Sequence, residues 1–520
     1  MKNLPIGIQS FEVLRQGDWL YVDKTKIINE LVTSGRVYFL SRPRRFGKSL
    51  LVSTMEALFQ GKKSPFEGLY IYDKWDWTQQ NPVIRLDFGG RANASEEELK
   101  ISLNHFLDVT ANENQISLTG ETLSDKFMDL IKGLHRSTGR QVVVLIDEYD
   151  KPIIDHLSEP EIASAIRTIL KNFYQVLKAA DEHLRLVFLT GVSKFTKVSI
   201  FSELNNLSDI TMDARYAAIC GYTQSELETC FDDYIERLAD KNKLPKADVL
   251  EGIRHWYNGY SWDGEISVYN PFSTLLLFDK QSFSNYWFES GTPTFLIDLI
   301  KKKNDIQSVS EDITVSESTF MGFDINYIDT VQMLFQTGYL TVKKKIFVPL
   351  APSRYILGLP NEEVKVSMML YLVSGYTNQH PSQTEIIKVK MQEQINNGDA
   401  EGFTQSLRIL LANIPSVLHI KRESYYHSLL LAWMKMLGFD IQGEVMTNIG
   451  RIDAVWHQPK LTVVAEIKYH AGKDLESLLD DATAQINDRK YYEKFLYTDR
   501  VLLMAVAFSG QEIGCRMQLL

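Results

Sequence analysis

The chain has 520 residues, a hydrophobic fraction of 44% and a formal net charge of −10. The length predicts roughly three to four domains, and the apolar fraction is ample for folded cores. The acidic balance excludes a generally basic nucleic-acid binder, so any contact with nucleic acid must depend on local basic patches.

Membrane spans and disulfide frameworks are also excluded by the sequence. No stretch approaches the roughly 20 apolar residues of a membrane span, and the N-terminus has no long apolar core. We therefore expect a cytoplasmic protein with no membrane partner. Cys220, Cys230 and Cys515 are too few and too scattered for a disulfide framework or a four-ligand zinc site, so we interpret them as buried or incidental thiols.

The first predicted strand and the helix after it enclose a basic, glycine-containing loop. Residues 37–40 are an apolar run typical of a buried strand, and residues 50–59 have the pattern of a helix. The loop between them contains Arg42, Pro43, Arg44, Arg45, Phe46, Gly47, Lys48 and Ser49. A strand, a loop with Gly-Lys-Ser and a helix are the context that a nucleotide phosphate loop requires.

Each residue of Gly-Lys-Ser has a physical role in such a loop. Gly47 lets the backbone approach the phosphates at the helix N-terminus, Lys48 reaches the β- and γ-phosphates, and Ser49 ligates Mg²⁺. The departure from G-x-x-x-x-G-K-[ST] is at its first glycine, which is Arg42 here. An ordinary basic turn before an amphipathic helix is the alternative interpretation.

A second acidic motif supports the nucleotide interpretation. Residues 142–146 form a continuous apolar strand that ends in Asp147 and Glu148, the arrangement called Walker B. Asp147 would hold the Mg²⁺ shell, and Glu148 would orient or deprotonate the attacking water. A buried parallel strand that ends in acidic residues by chance is the alternative.

Three segments of this region resemble the AAA-ATPase-like domain found in many bacterial proteins. They are Tyr-Val-Asp-Lys-Thr at 21–25, Arg-Pro-Arg-Arg-Phe-Gly-Lys-Ser at 42–49 and Asp-Glu-Tyr-Asp-Lys-Pro at 147–152. Arginine at position 42 belongs to this family's version of the loop. The resemblance implies that ATP binds at residues 42–49 and Asp147, with Mg²⁺ held by Ser49 and Asp147.

The next apolar strand, at residues 184–189, ends in a short polar segment. A polar residue there sits beside the γ-phosphate in related ATPases, so Ser193 is a candidate sensor, and a helix cap is the alternative. Alternating strands and helices over residues 37–220 predict a parallel sheet with helices on both faces. Phosphate binding then belongs at the carboxyl ends of the strands.

The middle of the chain has a different pattern. Beyond residue 221 the pattern becomes helical, with aromatic residues at intervals that we interpret as packing and turn residues of a helical lid. Residues 331–361 suggest a helix feeding a small hairpin, as in a winged helix. The basic run 343–345 fits either a DNA contact or a solvated hairpin tip. A linker is expected near Ser374 to Thr384, where glycine, proline and polar residues cluster.

Acidic residues and a lysine recur on two predicted strands near the C-terminus. Asp453 lies on one strand, and Glu466 and Lys468 lie two apart on the next, so all three can face one side of a sheet. Two carboxylates that hold Mg²⁺ beside a lysine form a site for phosphodiester hydrolysis. A half-exposed strand pair with alternating charges is the alternative.

This constellation resembles the PD-(D/E)XK nuclease superfamily. The resemblance implies that Asp453 and Glu466 are metal ligands, that Lys468 is the catalytic lysine, and that Glu423 on a preceding helix is an accessory carboxylate. It also assigns Gln485, on the following helix, to the same pocket. Isoleucine replaces the proline of the superfamily's name before Asp453, which alters no ligand.

Together these observations predict an α/β protein of three parts. They are a P-loop NTPase domain at 1–220, a helical lid and winged-helix-like region at 221–375, and an α/β restriction-endonuclease-like domain at 385–520. We expect an ATP-binding, ATP-hydrolysing protein with an Mg²⁺-dependent nuclease, for which Mn²⁺ is an alternative metal. The expected partners are ATP and nucleic acid, with DNA preferred, and the interpretation allows a homo-oligomer. The alternative is a nucleotide-dependent conformational switch or assembly protein whose nuclease-like domain only binds nucleic acid or a partner.

Overall fold

The computed structural model describes most of the chain. The described residues are 1–194, 206–287, 294–303, 309, 312–320, 329–377, 380–412, 430, 434, 439–446, 451–458, 461–470, 472–490, 492–496, 500–510 and 512–520. They form two compact units, one of residues 1–296 with 311–364 and the other of residues 297–310 with 365–520. The domain boundaries expected from the sequence stay predictions.

Helices and strands are numbered in chain order over the described residues. The helices are α1 Phe11–Gln16, α2 Thr25–Ser34, α3 Lys48–Phe59, α4 Glu96–Glu113, α5 Leu123–Thr138, α6 Lys151–Ile154, α7 Pro160–Ala179, α8 Gln224–Cys230, α9 Asp232–Asn242, α10 Lys246–Tyr257, α11 Pro271–Lys280, α12 Thr294–Lys303, α13 Thr330–Thr337, α14 Glu362–Thr377, α15 Pro381–Asn397, α16 Ala400–Ala412 and α17 Leu475–Arg489. The strands are β1 Val37–Ser41, β2 Val83–Asp87, β3 Val142–Asp147, β4 Leu184–Gly191, β5 Ser208–Asp209, β6 Ile313–Ser316, β7 Thr341–Ile346, β8 Arg354–Gly358, β9 Asp440–Met446, β10 Arg451–Gln458, β11 Leu461–Tyr469, β12 Arg500–Ser509 and β13 Glu512–Leu519.

The first unit is built on a parallel sheet with the strand order β2-β3-β4-β1-β5. Every residue of β3, an inner strand that α3 and α5 contact, is buried, as expected for a parallel sheet covered by helices. The predicted parallel sheet flanked by helices is therefore confirmed. Its strands β1 and β3 end at the phosphate loop and at Asp147, which brings both predicted motifs to one edge of the sheet.

Aromatic side chains form the core of the helical part of the same unit. The rings of Phe231 and Phe278 stack at 5.3 Å between centroids, and those of Tyr257 and Phe283 stack at 6.0 Å. Thr223 and Glu226 form a capping box that fixes the start of α8. The packing role predicted for the aromatic residues of this region is therefore confirmed for the core.

A three-stranded antiparallel sheet follows, with the order β6-β8-β7. Asp329 caps the start of α13, and Gly338 ends this helix in the left-handed conformation, with φ 89°. The chain then turns directly into β7 and β8. The predicted helix that feeds a small hairpin is thus confirmed, and β6 adds a third strand.

The second unit contains a mixed sheet with the order β13-β12-β11-β10-β9. The pair β11 and β12 is parallel and is joined through α17, while the remaining pairs are antiparallel. A parallel pair needs a crossover connection, and α17 packs on both of its strands. The predicted α/β fold of the C-terminal domain is confirmed.

The linker predicted at Ser374 to Thr384 is wrong for most of its length. Ser374 lies in α14, and Pro381 is the first residue of α15, which His380 caps. Proline suits this first position because no helical partner is needed for its missing N–H. The proline and serine cluster therefore marks a helix start.

Two further expectations from the sequence concern helices. The sequence also predicts that Glu423 lies on an apolar helix over residues 422–437, of which the structure describes only Leu430 and Met434, both helical. Among the residues that the structure describes, no helix combines the length and the apolar character needed to cross a membrane.

Candidate functional sites

The phosphate loop joins β1 to α3 with two residues in the left-handed backbone region. Arg45 has φ 68°, and Gly47, at the N-cap of α3, has φ 88°. The space beside Gly47 is open, so the backbone conformation and not crowding favours glycine here. The first N–H groups of α3 have no carbonyl partner within the helix, which is what an anion site at a helix start requires.

Lys48 is buried among oxygen atoms. Its ammonium donates hydrogen bonds to the carbonyl oxygens of Arg42 at 3.0 Å and Pro43 at 2.9 Å. Burial lowers the pKa of Lys48, while the charges of nearby carboxylates, Asp147 foremost, act in the opposite direction. The lysine is thus held by its own loop beside a negatively charged cluster.

Arg42 uses its side chain to anchor the loop. Its guanidinium donates to the carbonyl oxygens of Thr211 at 3.0 Å and Tyr216 at 3.2 Å and lies 3.8 Å from the centroid of the Trp262 ring. Burial lowers the pKa of Arg42 to about 10. The arginine in place of the usual glycine therefore ties the end of β1 to the segment after β5.

The other loop residues divide between packing and exposure. Phe46 is buried against Tyr260, with ring centroids 4.8 Å apart. Arg44 and Arg45 are exposed and line a cavity, and Arg45 lies 4.9 Å from the ring centroid of Phe272. Of the side chains predicted to bind the cofactor, those of Arg42 and Phe46 thus serve the fold, while those of Arg44 and Arg45 line the cavity.

Asp147 lies at the end of β3 with one oxygen free for a ligand. Its Oδ1 accepts the N–H of Glu148 at 3.1 Å, and its Oδ2 is buried with no hydrogen-bond partner among the described residues. Burial raises the pKa of Asp147, and the Ser49 hydroxyl and Lys48 partly offset this rise. A carboxylate and a hydroxyl side by side are the oxygen donors that Mg²⁺ prefers, so these residues fit the metal.

Glu148 projects into the cavity from a strained backbone. Its φ is 52°, and burial raises the pKa of its carboxyl group, with Lys48 opposing. A Cβ at Gly89 would lie 2.9 Å from Glu148 Oε2, so the glycine after β2 provides the room for this carboxylate. The sequence reasoning missed Gly89, although a glycine pair after a predicted strand is a signal of close approach.

Asp150 and Tyr149 clamp the segment after β4 where Ser193 lies. Asp150 is buried and accepts the backbone N–H groups of Val192, at 3.0 Å, and Ser193, while the Tyr149 hydroxyl donates to the Ser193 carbonyl at 2.9 Å. Burial raises the pKa of Asp150 to about 6. The Ser193 hydroxyl has no hydrogen-bond partner among the described residues, and its alternative role as a helix cap concerns residues 195–205, which lie outside them.

The loop and these carboxylates border a cavity of about 380 Å³, a size within the range of roughly 300–1,000 Å³ typical of ligand pockets. Its polar lining comes from the loop, Lys151 of α6, Glu148 and Asp150. Apolar side chains line it as well, among them those of Pro5, Ile8, Leu14, Pro271, Phe272 and Leu275. A lining of both kinds suits a phosphorylated ligand with an aromatic base.

The motif at residues 21–25 holds the N-terminal segment in place. Asp23 accepts from the Thr25 N–H at 2.8 Å and from the Tyr70 N–H at 2.7 Å, and Lys24 forms a 2.6 Å ion pair with Glu226. The last two contacts join residues far apart in the chain, so the motif ties the N-terminal segment to residues 70 and 226.

A second cluster of charged residues lies in the second unit. Ala454 pairs with Ala465 in the antiparallel ladder, so the next position places Asp453 opposite Glu466. The N–H of Ile467 donates to Asp453 Oδ2 at 2.9 Å. The two predicted metal ligands therefore lie side by side on neighbouring strands.

Lys468 and Gln485 both contact Glu466. The Lys468 ammonium donates to Glu466 Oε1 at 3.1 Å, and the Gln485 amide on α17 donates to the same oxygen. Burial raises the pKa of Glu466 to about 7, and the charge of Asp453 adds to this rise while Lys468 opposes it. Glu466 Oε2 is buried without a hydrogen-bond partner among the described residues, which fits a bound divalent cation.

Four of the five residues predicted for this site are thus brought together. Glu423 lies outside the described residues. Within the described part of the chain, no group of three histidine, cysteine or acidic side chains is placed to hold a metal ion. The described donors are therefore the pair Asp453 and Glu466.

Comparison with known proteins agrees with both resemblances. Residues 5–201 match the family described as "Predicted AAA-ATPase", and residues 421–516 match the PD-(D/E)XK nuclease superfamily. A protein of Azotobacter chroococcum mcd 1, named "Uncharacterized protein in vnfD 5'region", is 41% identical over 460 residues, which are 87% of this chain and 86% of that protein. The first match contains the phosphate loop and Asp147, and the second contains Asp453 and Glu466.

Proposed function

Because the chain belongs to the AAA-ATPase-like proteins with a C-terminal domain of the PD-(D/E)XK nuclease superfamily, we propose that it hydrolyses ATP and cleaves nucleic acid in a metal-dependent reaction. One observation carries the proposal. Each unit has a buried carboxylate with an unpartnered oxygen near a lysine, Asp147 with Lys48 and Glu466 with Lys468. The proposed nucleic acid is DNA, and ATP state would control cleavage.

The residues of the first site divide the work of ATP hydrolysis. Lys48 exchanges its carbonyl partners for the β- and γ-phosphates, and the N–H groups at the start of α3 bind phosphate oxygens. Ser49 and Asp147 would hold Mg²⁺, which supplies charge neutralisation when bound. Glu148 orients the attacking water and accepts its proton at a side-chain oxygen, a task suited to a carboxyl group with a raised pKa.

The second site follows the same logic for a phosphodiester. Asp453 and Glu466 would hold the divalent metal, which acidifies water and offsets phosphate charge when bound. Lys468 lies where its ammonium can position the nucleophile and the phosphate. Gln485 fixes the orientation of the Glu466 carboxylate through their hydrogen bond.

A cleavage assay tests the proposal on single-stranded and duplex DNA and on RNA, with and without ATP, Mg²⁺ and Mn²⁺. The parent protein should cut at least one substrate only when metal is present and should hydrolyse ATP. ATP binding without cleavage of any substrate would contradict the nuclease proposal and leave the nucleotide-dependent switch. Absence of ATP binding would contradict the assignment of the phosphate loop.

A further inference from the structure

One face of the three-stranded sheet β6-β8-β7 carries cations and hydroxyl groups. Thr314 and Lys344 both pair with Ile356 of the central strand, and Ser316 and Ile346 both pair with Arg354. Paired residues share a face, and so do residues two apart on a strand. We call this set the outer face: Thr314, Ser316, Lys344, Ile346, Arg354 and Ile356. None of the six side chains is buried.

The opposite face of the sheet packs into the first unit. Tyr355 and Leu357 are buried, and the ring of Phe320 lies 4.9 Å from that of Tyr355 and 4.8 Å from that of Phe335. The sheet is therefore amphipathic, with a packed apolar side. The outer face is its solvent side.

The charge of this sheet is unlike that of the whole protein. The strands carry three lysines, at 343–345, and Arg354 but no aspartate or glutamate, in a chain of net charge −10. Lys343 is engaged by the Pro360 carbonyl at 3.0 Å and by the charge of Asp312. Lys345 pairs with Tyr355 of the opposite face, and its ammonium lies 5.8 Å from the centroid of the Tyr355 ring. Within the described residues Lys344 and Arg354 form no ion pair. These two cations of the outer face are thus left for an external anion.

Apolar side chains project from the turn between β7 and β8. Phe347 is 77% exposed and Leu350 is fully exposed. Leu350 also has φ 59°, in a turn closed by the Ala351 N–H bonding to the Val348 carbonyl at 3.3 Å. Glycine or asparagine is usual at this turn position. Phe347 and Leu350 thus form an exposed apolar tip next to the cations of the outer face.

We propose that the outer face and this turn bind nucleic acid. The inference rests on the proposed nuclease function and adds a nucleic-acid binding site on the first unit. Lys344 and Arg354 bind backbone phosphates, and Thr314 and Ser316 donate hydrogen bonds to phosphate oxygens. Phe347 and Leu350 contact bases, since an aromatic side chain beside cations suits stacking on a nucleic-acid strand. We call the outer face together with the turn between β7 and β8 the basic hairpin.

Charge reversal tests the phosphate contacts. The double variant K344E/R354E is compared with K26E/K178E, which reverses two exposed lysines elsewhere in the first unit and has the same net charge. Binding of labelled single-stranded and duplex DNA is measured by fluorescence anisotropy in EDTA, which prevents cleavage, over a range of KCl concentrations. The hairpin variant should bind at least about tenfold more weakly, and its salt dependence should fall by about 0.7–0.9 per lost contact. The control should match the parent.

Leu350→Gly separates binding from folding at the turn. Glycine adopts the left-handed backbone readily, so the melting temperature should stay equal or rise. The double variant F347A/L350G loses both apolar side chains of the turn and should bind DNA about tenfold more weakly. Ile101→Ala, which truncates a 61% exposed apolar side chain on α4, is the matched control and should leave binding unchanged.

The outcomes distinguish this inference from the nuclease proposal. Parental affinity in K344E/R354E, while the parent binds and cleaves DNA, would overturn the basic hairpin alone. If nucleic-acid binding depends on the basic hairpin but the parent protein cuts no nucleic acid, only the nuclease proposal is overturned. Hairpin-dependent binding to vesicles of phosphatidylcholine and phosphatidylserine, without binding to nucleic acid, would overturn the hairpin inference in favour of an anionic membrane.

Discussion

Replacement of Glu363 by glutamine should make the first unit more stable at alkaline pH. Glu363 is buried near the start of α14, where its Oε1 accepts the Trp287 N–H at 2.9 Å and the Ser273 hydroxyl at 3.0 Å. Burial outweighs these bonds and raises the pKa of Glu363 from 4.5 to about 7. The folded protein therefore prefers this group protonated.

The sign and size of the effect follow from the difference between the ordinary pKa of this group, 4.5, and its pKa in the folded protein, about 7. A carboxyl group whose pKa is raised on folding stabilises the fold fully below pH 4.5 and loses this contribution as the pH rises through 7. The whole difference corresponds to about 3 kcal/mol, of which about 2 kcal/mol is lost between pH 5.5 and 8.5. Glutamine keeps the shape and one acceptor but does not titrate. The stability of Glu363→Gln relative to the parent should thus rise by about 2 kcal/mol over this interval.

Thermal unfolding at the two pH values measures this change. With an unfolding entropy of about 2.1 cal/mol/K per residue, about 2 kcal/mol moves the melting temperature of the roughly 350 residues of this unit by about 3 °C. Glu67→Gln, at an exposed loop position, is the control and should show no such change. A melting difference between Glu363→Gln and the parent that is identical at pH 5.5 and 8.5 would refute the reasoning.

Three other outcomes test the proposed sites. Lys48→Ala should weaken ATP binding by roughly 10- to 150-fold, since a charge-assisted bond contributes about 1.5–3 kcal/mol, and an unchanged dissociation constant in a folded variant would reject the loop assignment. Glu148→Gln should retain ATP binding but lower single-turnover hydrolysis by about 10²-fold or more, and an unchanged rate would exclude it as the water-orienting group. Asp453→Asn and Lys468→Ala should each abolish cleavage with ATP binding intact, and parental cutting by either would remove the nuclease assignment. A metal titration should rescue only Asp453→Asn, in part, because Mn²⁺ tolerates weaker oxygen ligation while the lysine acts on water and phosphate.

Sequence by itself was sufficient for the motifs that depend on local structure. A strand that runs directly into a loop or an acidic pair fixes where those residues lie, so Gly47, Lys48 and Asp147 were predicted at one edge of a parallel sheet. The period of two along a strand likewise predicted that Glu466 and Lys468 share a face. Both family resemblances followed from such local patterns.

Tertiary structure decided which groups converge from distant parts of the chain. The side chain of Arg42 anchors the loop to residues 211–216, which lie more than a hundred positions away, and Asp150 grips the segment after β4. Gly89, which follows the neighbouring strand β2, makes room for Glu148. Burial sets the raised pKa of Glu363, and burial depends on packing between elements that no short pattern of residues contains. The basic hairpin became visible only when strand register showed which of its residues face solvent.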